Sequence, residues 1–192
     1  MQHILEDTSA LALLFSGQPE MYTKPSQLVP HGTVGKHVRH IIEHFELLAD
    51  AAEALVSHSH RGNDGKLLAS DKVILCYNKR NRGSLVESSI PEAVRASDAV
   101  QGRLFDLIDN PHITSQLQLL VSDPVMVSTF GRELWFCIHH AVHHHATLKV
   151  LCMEHDIALS DQFGVAPSTT AHYIEACSST SSSSTSNQPT AK

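Results

Sequence analysis

The chain has 192 residues, of which 42% are hydrophobic, enough for one domain with a core of ordinary size. Its formal net charge is −6 with histidine counted as neutral, which argues against nucleic acid and anionic membranes as partners. The four cysteines form no CxxC pair, the N-terminus lacks the basic region of a signal peptide, and no apolar run approaches the roughly 20 residues that span a bilayer. We therefore expect a cytoplasmic protein with reduced thiols.

The first half of the chain predicts two helices separated by a loop. Residues 4–15 carry apolar side chains at helical spacing and are followed by Gly17 and Pro19, which end a helix. Residues 24–32 contain two prolines and predict a loop, after which Thr33 can cap a long helix. The apolar stripe of that helix consists of Val38, Ile41, Ile42, Phe45, Leu48, Ala52 and Leu55.

The second half predicts two more helices and short extended segments. The run KVILCY indicates either a short strand or the end of a loop. Pro91 suits the first turn of a third helix, with Ser88 or Ser89 as its cap. The alternating residues 116–121 predict a short strand, and residues 128–154 predict a fourth helix.

These elements predict an all-α fold, an up-down four-helix bundle with a short extended segment before the last helix. Residues 1–177 would form this domain. Residues 178–192 are mostly serine and threonine, which cannot bury enough apolar surface to offset the entropy lost on ordering. We expect this tail to be disordered.

Histidines are concentrated in two of the predicted helices. His37, His40 and His44 are three, four and seven residues apart, so they share one face of the long helix. The last helix carries His139, His140, His143, His144 and His145. His140 and His144 form an HxxxH pair that can chelate one ion, and imidazole is the commonest protein ligand for transition metals. Solvated helix faces are the alternative, but this concentration favours a metal site.

The order of several segments resembles the DinB/YfiT-like superfamily of metal-binding four-helix bundles. The matching strings are GTVGKHVRHIIEHF, CYNKRNRGSLVESS, STFGRELWFCIHHAVHHHATL and DQFGVAPST. The resemblance implies that His40, His140 and His144 hold a divalent transition metal such as zinc, nickel or iron. It also implies a thiol transferase or hydrolase acting on a small molecule, with a homodimer as a further expectation. A non-catalytic metal-binding or stress-related protein is the alternative.

Other histidines near the predicted ligands leave the assignment open. His37 and His44 share the face of His40 and are alternative ligands for the second-helix position. His143 lies three residues after His140, and it could orient a ligand ring or replace a ligand. Glu43 could play the same orienting part, or it could lie on a solvated face.

Five further residues carry weaker predictions. Arg80 and Arg82 resemble a segment of the same superfamily, and they could bind a substrate carboxylate or stabilise their loop by pairing with Glu87, which we favour. Cys137 is expected to be a small buried core residue. Trp135 is expected in the core, and Glu133 is expected to be structural.

Overall fold

A computed structural model describes residues 1–59, 73–79, 81–110, 118–121, 126–166 and 168–172. The described part of the chain is mostly helical, as predicted. Its helices are α1 (Gln2–Leu13), α2 (Pro19–Thr23), α3 (Val34–Ser59), α4 (Ile90–Ile108) and α5 (Phe130–Glu154). Its strands are β1 (Ile74–Leu75), β2 (Gln118–Val121) and β3 (Met126–Thr129). The tail 178–192 lies outside the described residues.

Helix ends follow the predicted capping chemistry. The backbone N–H of Lys36 donates to Thr33 Oγ1 at 3.1 Å at the start of α3. Ser89 caps α4, where it accepts from the N–H of Glu92, and Pro91 occupies the first turn. Both caps were predicted, and both fix where the long helices begin.

Helix α3 is the centre of the fold. It packs against α1, α2, α4 and α5, and its buried apolar residues form one broad stripe along the helix. These residues are Val34, Val38, Ile41, Ile42, Phe45, Leu48, Ala49, Ala51, Ala52 and Leu55. The buried polar residues of α3, Arg39, Glu43 and His44, must therefore find partners inside the protein.

The three strands form one small sheet in the order β1-β2-β3. Strand β1 is parallel to β2, and β2 is antiparallel to β3, with Gln118 opposite Thr129. Strand β3 leads directly into α5, where Thr129 accepts a hydrogen bond from the N–H of Arg132 at 3.2 Å. The prediction that the last helix starts at residue 128 was therefore wrong by two residues, and β3 was not predicted.

A close backbone approach explains one glycine near the start of α3. A Cβ on Gly35 would lie 2.0 Å from the carbonyl oxygen of Glu87, in the short 3₁₀ helix Leu85–Glu87. Tyr22 binds the same segment, because its hydroxyl donates to the carbonyl of Val86 at 3.0 Å. Glycine therefore lets this segment dock against α3.

No helix within the described ranges is long and apolar enough to cross a membrane.

Candidate metal centre

Histidines of α3 and α5 meet nitrogen to nitrogen across the interface between the two helices. His40 Nε2 lies 3.0 Å from His140 Nε2, and His37 Nδ1 lies 2.9 Å from His144 Nδ1. The two helices run in opposite directions here, because the earlier residue of α3 meets the later residue of α5. The sequence spacing predicted the two faces, and the fold brings them together.

The three imidazoles of His40, His44 and His140 form what we call the inner trio. Each offers one ring nitrogen, and these three atoms all lie within 4.8 Å of one another. The ring of His44 lies 4.2 Å from that of His140 and 4.4 Å from that of His40, measured between centroids. These three residues could hold a metal ion.

Hydrogen bonding selects the ligand atom of His44. Its Nδ1–H donates to the backbone carbonyl of His40 at 2.9 Å, one turn earlier in the helix. A neutral imidazole that donates through Nδ1 keeps the lone pair on Nε2 for a metal. His44 is only 5% exposed, so this ring is held deep in the interface.

His144 stands beside the inner trio. Its ring lies 4.6 Å from the rings of both His40 and His140. Burial lowers the pKa of His144 to about 2, and the neighbouring imidazoles of His40, His140, His37 and His143 act in the same direction. The pKa of His37 is also lowered, by burial and then by His143. Both rings are therefore neutral near pH 7, the form that binds metals.

The predicted ligand set and the inner trio share two members. His40 and His140 belong to both, whereas His44 occupies the third place in the trio and the predicted His144 lies next to it. Helical spacing could not choose among His37, His40 and His44, because all three share one face of α3. Depth in the interface separates them, and depth depends on the packing of α5.

Aromatic and polar side chains enclose the inner trio on one side. The ring of Tyr77 stacks on His44 at 4.9 Å with an interplanar angle of 5°, and Phe136 stacks on His140 at 5.6 Å. The Tyr77 hydroxyl donates to Glu133 Oε2 at 3.1 Å. Sequence reasoning gave Tyr77 no role here, because it follows β1 and reaches α5 only in the folded chain.

Glu133 and Cys137 support this wall, as the sequence predicted for both. Glu133 is 7% exposed and accepts from Ser128 at 2.5 Å in addition to Tyr77. Cys137 is 1% exposed, and its thiol donates to the His44 carbonyl at 3.6 Å. Burial raises the pKa of the Cys137 thiol to about 12, so the thiol is protonated near pH 7 in the metal-free protein.

The other predicted residues lie around the edge of the site or away from it. His143 is exposed, and its ring lies 5.4 Å from that of His144. Trp135 is 59% exposed, so its expected place in the core was wrong; it packs against the exposed His139. Arg82 is exposed, and Arg80 lies outside the described residues.

Glu43 belongs to a second buried polar group, which we call the arginine anchor: Arg39, Glu43 and Glu87. Arg39 Nη1 lies 2.8 Å from Glu43 Oε2, and Arg39 Nε lies 2.9 Å from Glu87 Oε1. Glu43 also accepts from the backbone N–H of Asn81. The solvated alternative for Glu43 was therefore wrong. Among the described residues, Glu87 pairs with Arg39 and not with the predicted Arg82.

An all-imidazole donor set suits zinc, copper, iron or nickel better than the hard cations magnesium and calcium. Three such ligands leave at least one coordination position for water or substrate, as catalytic zinc sites do. The chemistry of the inner trio thus fits a divalent transition metal.

Comparison with known proteins gives one partial likeness. The chain is 30% identical over 121 residues to a protein of Rhizopus delemar called FK506-binding protein 5. The match covers 57% of this chain and 31% of that protein, so the chain spans less than a third of its relative's length. No family model matches the chain, and no solved structure matches it.

Proposed function

We propose that this chain binds a divalent transition metal at the inner trio and uses it in catalysis on a small molecule. The observation that carries the proposal is the convergence of three imidazole nitrogens within 4.8 Å from two helices. A bound ion would lower the pKa of a coordinated water or thiol and polarise a substrate. Zinc, nickel and iron all suit the donor set.

The state of the histidine rings supports this proposal. Several adjacent imidazoles would repel one another if protonated, and burial already opposes protonation of His144. The Nδ1–H of His44 donates to the His40 carbonyl, which fixes the tautomer of this ring. The fold thus places these imidazoles together before any ion binds, which lowers the cost of ordering them.

We also propose that the chain is a DinB/YfiT-like up-down four-helix bundle. The ordered sequence segments support this, as do the positions of the histidines on the second and last long helices. The reaction would be thiol transfer or hydrolysis, since both use a metal-activated nucleophile. We do not propose FK506 binding, because the likeness covers only 31% of the protein that carries that name.

Metal stoichiometry of purified variants tests the site. His140→Ala and His40→Ala should each remove the tightly bound ion, measured by elemental analysis after dialysis. His139→Ala is the matched control, because it lies next to His140 on the same helix but is exposed and faces Trp135. Full metal content in both trio variants would refute the proposed site.

Activity separates an enzyme from a protein that only binds metal. We expect the metal-loaded chain to turn over members of a panel of thiols paired with electrophiles, or of hydrolysable esters and amides. The metal-free chain and His140→Ala should not. Stoichiometric metal with no turnover across both panels would favour a non-catalytic metal-binding or stress-related protein.

A further inference from the structure

The histidine array is longer than the coordination sphere of one ion. We use the term histidine array for the inner trio together with His37 and His144. From His37 to His44 the chain advances seven residues along α3, a rise of about 10 Å. Ligand nitrogens on one zinc ion lie about 2.0–2.1 Å from the metal, so they are separated by only about 3.4 Å in a tetrahedral site. One ion cannot use both ends of the array.

Two cross-helix contacts lie one turn apart, the first between Nδ1 atoms and the second between Nε2 atoms. The His37–His144 nitrogens are 2.9 Å apart and the His40–His140 nitrogens are 3.0 Å apart. Both contacts are hydrogen bonds, and both distances are slightly shorter than the separation expected of two ligands on one ion, so a metal could replace the shared proton in either place after a small outward movement of the rings. The His37–His144 contact has this geometry, and neither residue belongs to the inner trio.

The two places differ in depth and in the number of ligands. The inner trio includes His44, which is almost completely buried, whereas His37 and His144 are both half-buried. His143 is exposed beside His144, so solvent reaches this end of the array. An ion held only by His37 and His144 would complete its coordination with water or substrate, and it would bind more weakly than one in the trio.

We propose that His37 and His144, the outer pair, form a second position for a divalent transition metal, so that the chain takes up two ions. The second position rests on the proposed function, because it assumes that the inner trio is itself a metal site. The outer ion would be the exchangeable one, and it would present its open positions to solvent and to small-molecule ligands.

Calorimetric titration of the metal-free full chain with Zn²⁺ tests the second position. We expect the wild-type chain to bind two equivalents and His37→Gln to bind one, with the tight phase retained. His44→Gln should weaken the tight phase instead. His139→Gln is the control and should bind two equivalents, and circular dichroism should show unchanged helix content in every variant.

His144→Ala distinguishes the outer pair from the ligand set that the sequence predicted. If His144 serves the outer position, this variant keeps one tight equivalent in the inner trio. Loss of all tight binding would place His144 with His40 and His140 on one ion and would overturn the outer pair. A single equivalent in the wild type that His37→Gln leaves unchanged would also overturn it while preserving the proposed function.

A spectroscopic measurement separates the second ion from a change in protein stability. Addition of two equivalents of Cu²⁺ to the wild-type chain should give a dipolar-coupled electron paramagnetic resonance spectrum. The same addition to His37→Gln should give the spectrum of isolated Cu²⁺. Isolated spectra in both proteins would refute a pair of neighbouring ions. Absence of any bound Zn²⁺ or Cu²⁺ in the wild type would refute the inner trio as well.

Discussion

Helix α3 carries two buried polar groups that differ in how their charge is balanced. Towards α5 it presents His37, His40 and His44, its part of the histidine array, which two imidazoles of α5 complete. Towards the 81–87 segment it presents the arginine anchor, in which one guanidinium contacts two carboxylates. Arg39 and His40 are adjacent in the chain, so the helix itself directs them to different neighbours.

The difference shows what each group can do. The anchor is already charge-paired and hydrogen-bonded, so its role is to hold a loop in place. In the array, burial lowers the pKa values of His37 and His144, and the groups that further resist protonation of His144 are other imidazoles. Each cross-helix contact is a hydrogen bond between two imidazoles, and ring nitrogens of this kind are ligands that a transition metal can recruit. The first group is complete without a ligand, whereas the second is suited to receive one.

The largest expected effect comes from breaking the anchor. Arg39→Met should lower the free energy of unfolding by about 3–5 kcal/mol, because it leaves two largely buried carboxylates without their counter-charge. Urea unfolding followed by circular dichroism measures this. Metal stoichiometry should stay as in the wild type. A loss of less than about 1 kcal/mol would show that the anchor is not the closed structural unit described above.

Metal should stabilise the array and leave the anchor unaffected. At a free metal concentration of about 100 times Kd, binding should raise the free energy of unfolding by about 2.7 kcal/mol. The same gain is expected in Arg39→Met, because the anchor and the inner trio use different partners. His140→Ala should gain much less. A gain in Arg39→Met that differs from the wild type by more than about 1 kcal/mol would mean that the two groups are coupled.

Lowering the pH should reduce the stability of the metal-free protein through His145. His145 lies on α5 against α1, where its Nε2 is 2.8 Å from the hydroxyl of Thr8, and burial lowers its pKa from 6.5 to about 4. Between those values the unfolded chain binds the proton and the folded chain does not. The free energy of unfolding of the metal-free protein should therefore fall as pH drops from 6.5 to 4, by about 1.4 kcal/mol per pH unit from this group.

The variant His145→Gln isolates that contribution. It removes the titrating group but keeps a polar side chain that can bond Thr8, so its stability should fall less steeply over the same pH range. The lowered pKa values of His37 and His144 act in the same direction and remain in the variant. An identical slope in both proteins would contradict the assignment to His145.

Local chemistry explains how much of this fold the sequence could predict. Thr33 and Ser89 cap helices through hydrogen bonds to residues three positions later, so their roles are visible in the sequence. Strand β3 was missed because it is four residues long, runs straight into α5, and depends on pairing with β2. Trp135 was wrongly predicted to be buried because an amphipathic pattern does not show which apolar residues lie outside the core.

In the candidate site, too, some features could be predicted from the sequence and others could not. The spacing of His140 and His144 and the shared face of His37, His40 and His44 follow from the helical repeat. Three features depend on contacts between distant segments: the depth of His44, the Tyr77 ring stacked on it, and the anchoring of Asn81 by Glu43. Sequence spacing can therefore nominate a set of ligands, while tertiary packing selects among them.

The smallest expected effect comes from an exposed counterpart of the arginine anchor. Arg103 of α4 contacts two carboxylates of α3, with its Nε 2.7 Å from Glu53 and its Nη2 2.5 Å from Asp50. The arrangement is that of Arg39, one guanidinium between two acids, but these side chains are largely accessible to water.

Arg103→Ala should therefore lower the free energy of unfolding by less than about 1 kcal/mol, because water solvates the charges that remain and salt screens them. Urea unfolding at low and at high salt, run beside Arg39→Met, measures the contrast. The small loss should shrink further at high salt, whereas the loss in Arg39→Met should persist. Equal losses in the two variants would mean that burial does not distinguish them, and the anchor would then be no stronger than a surface ion pair.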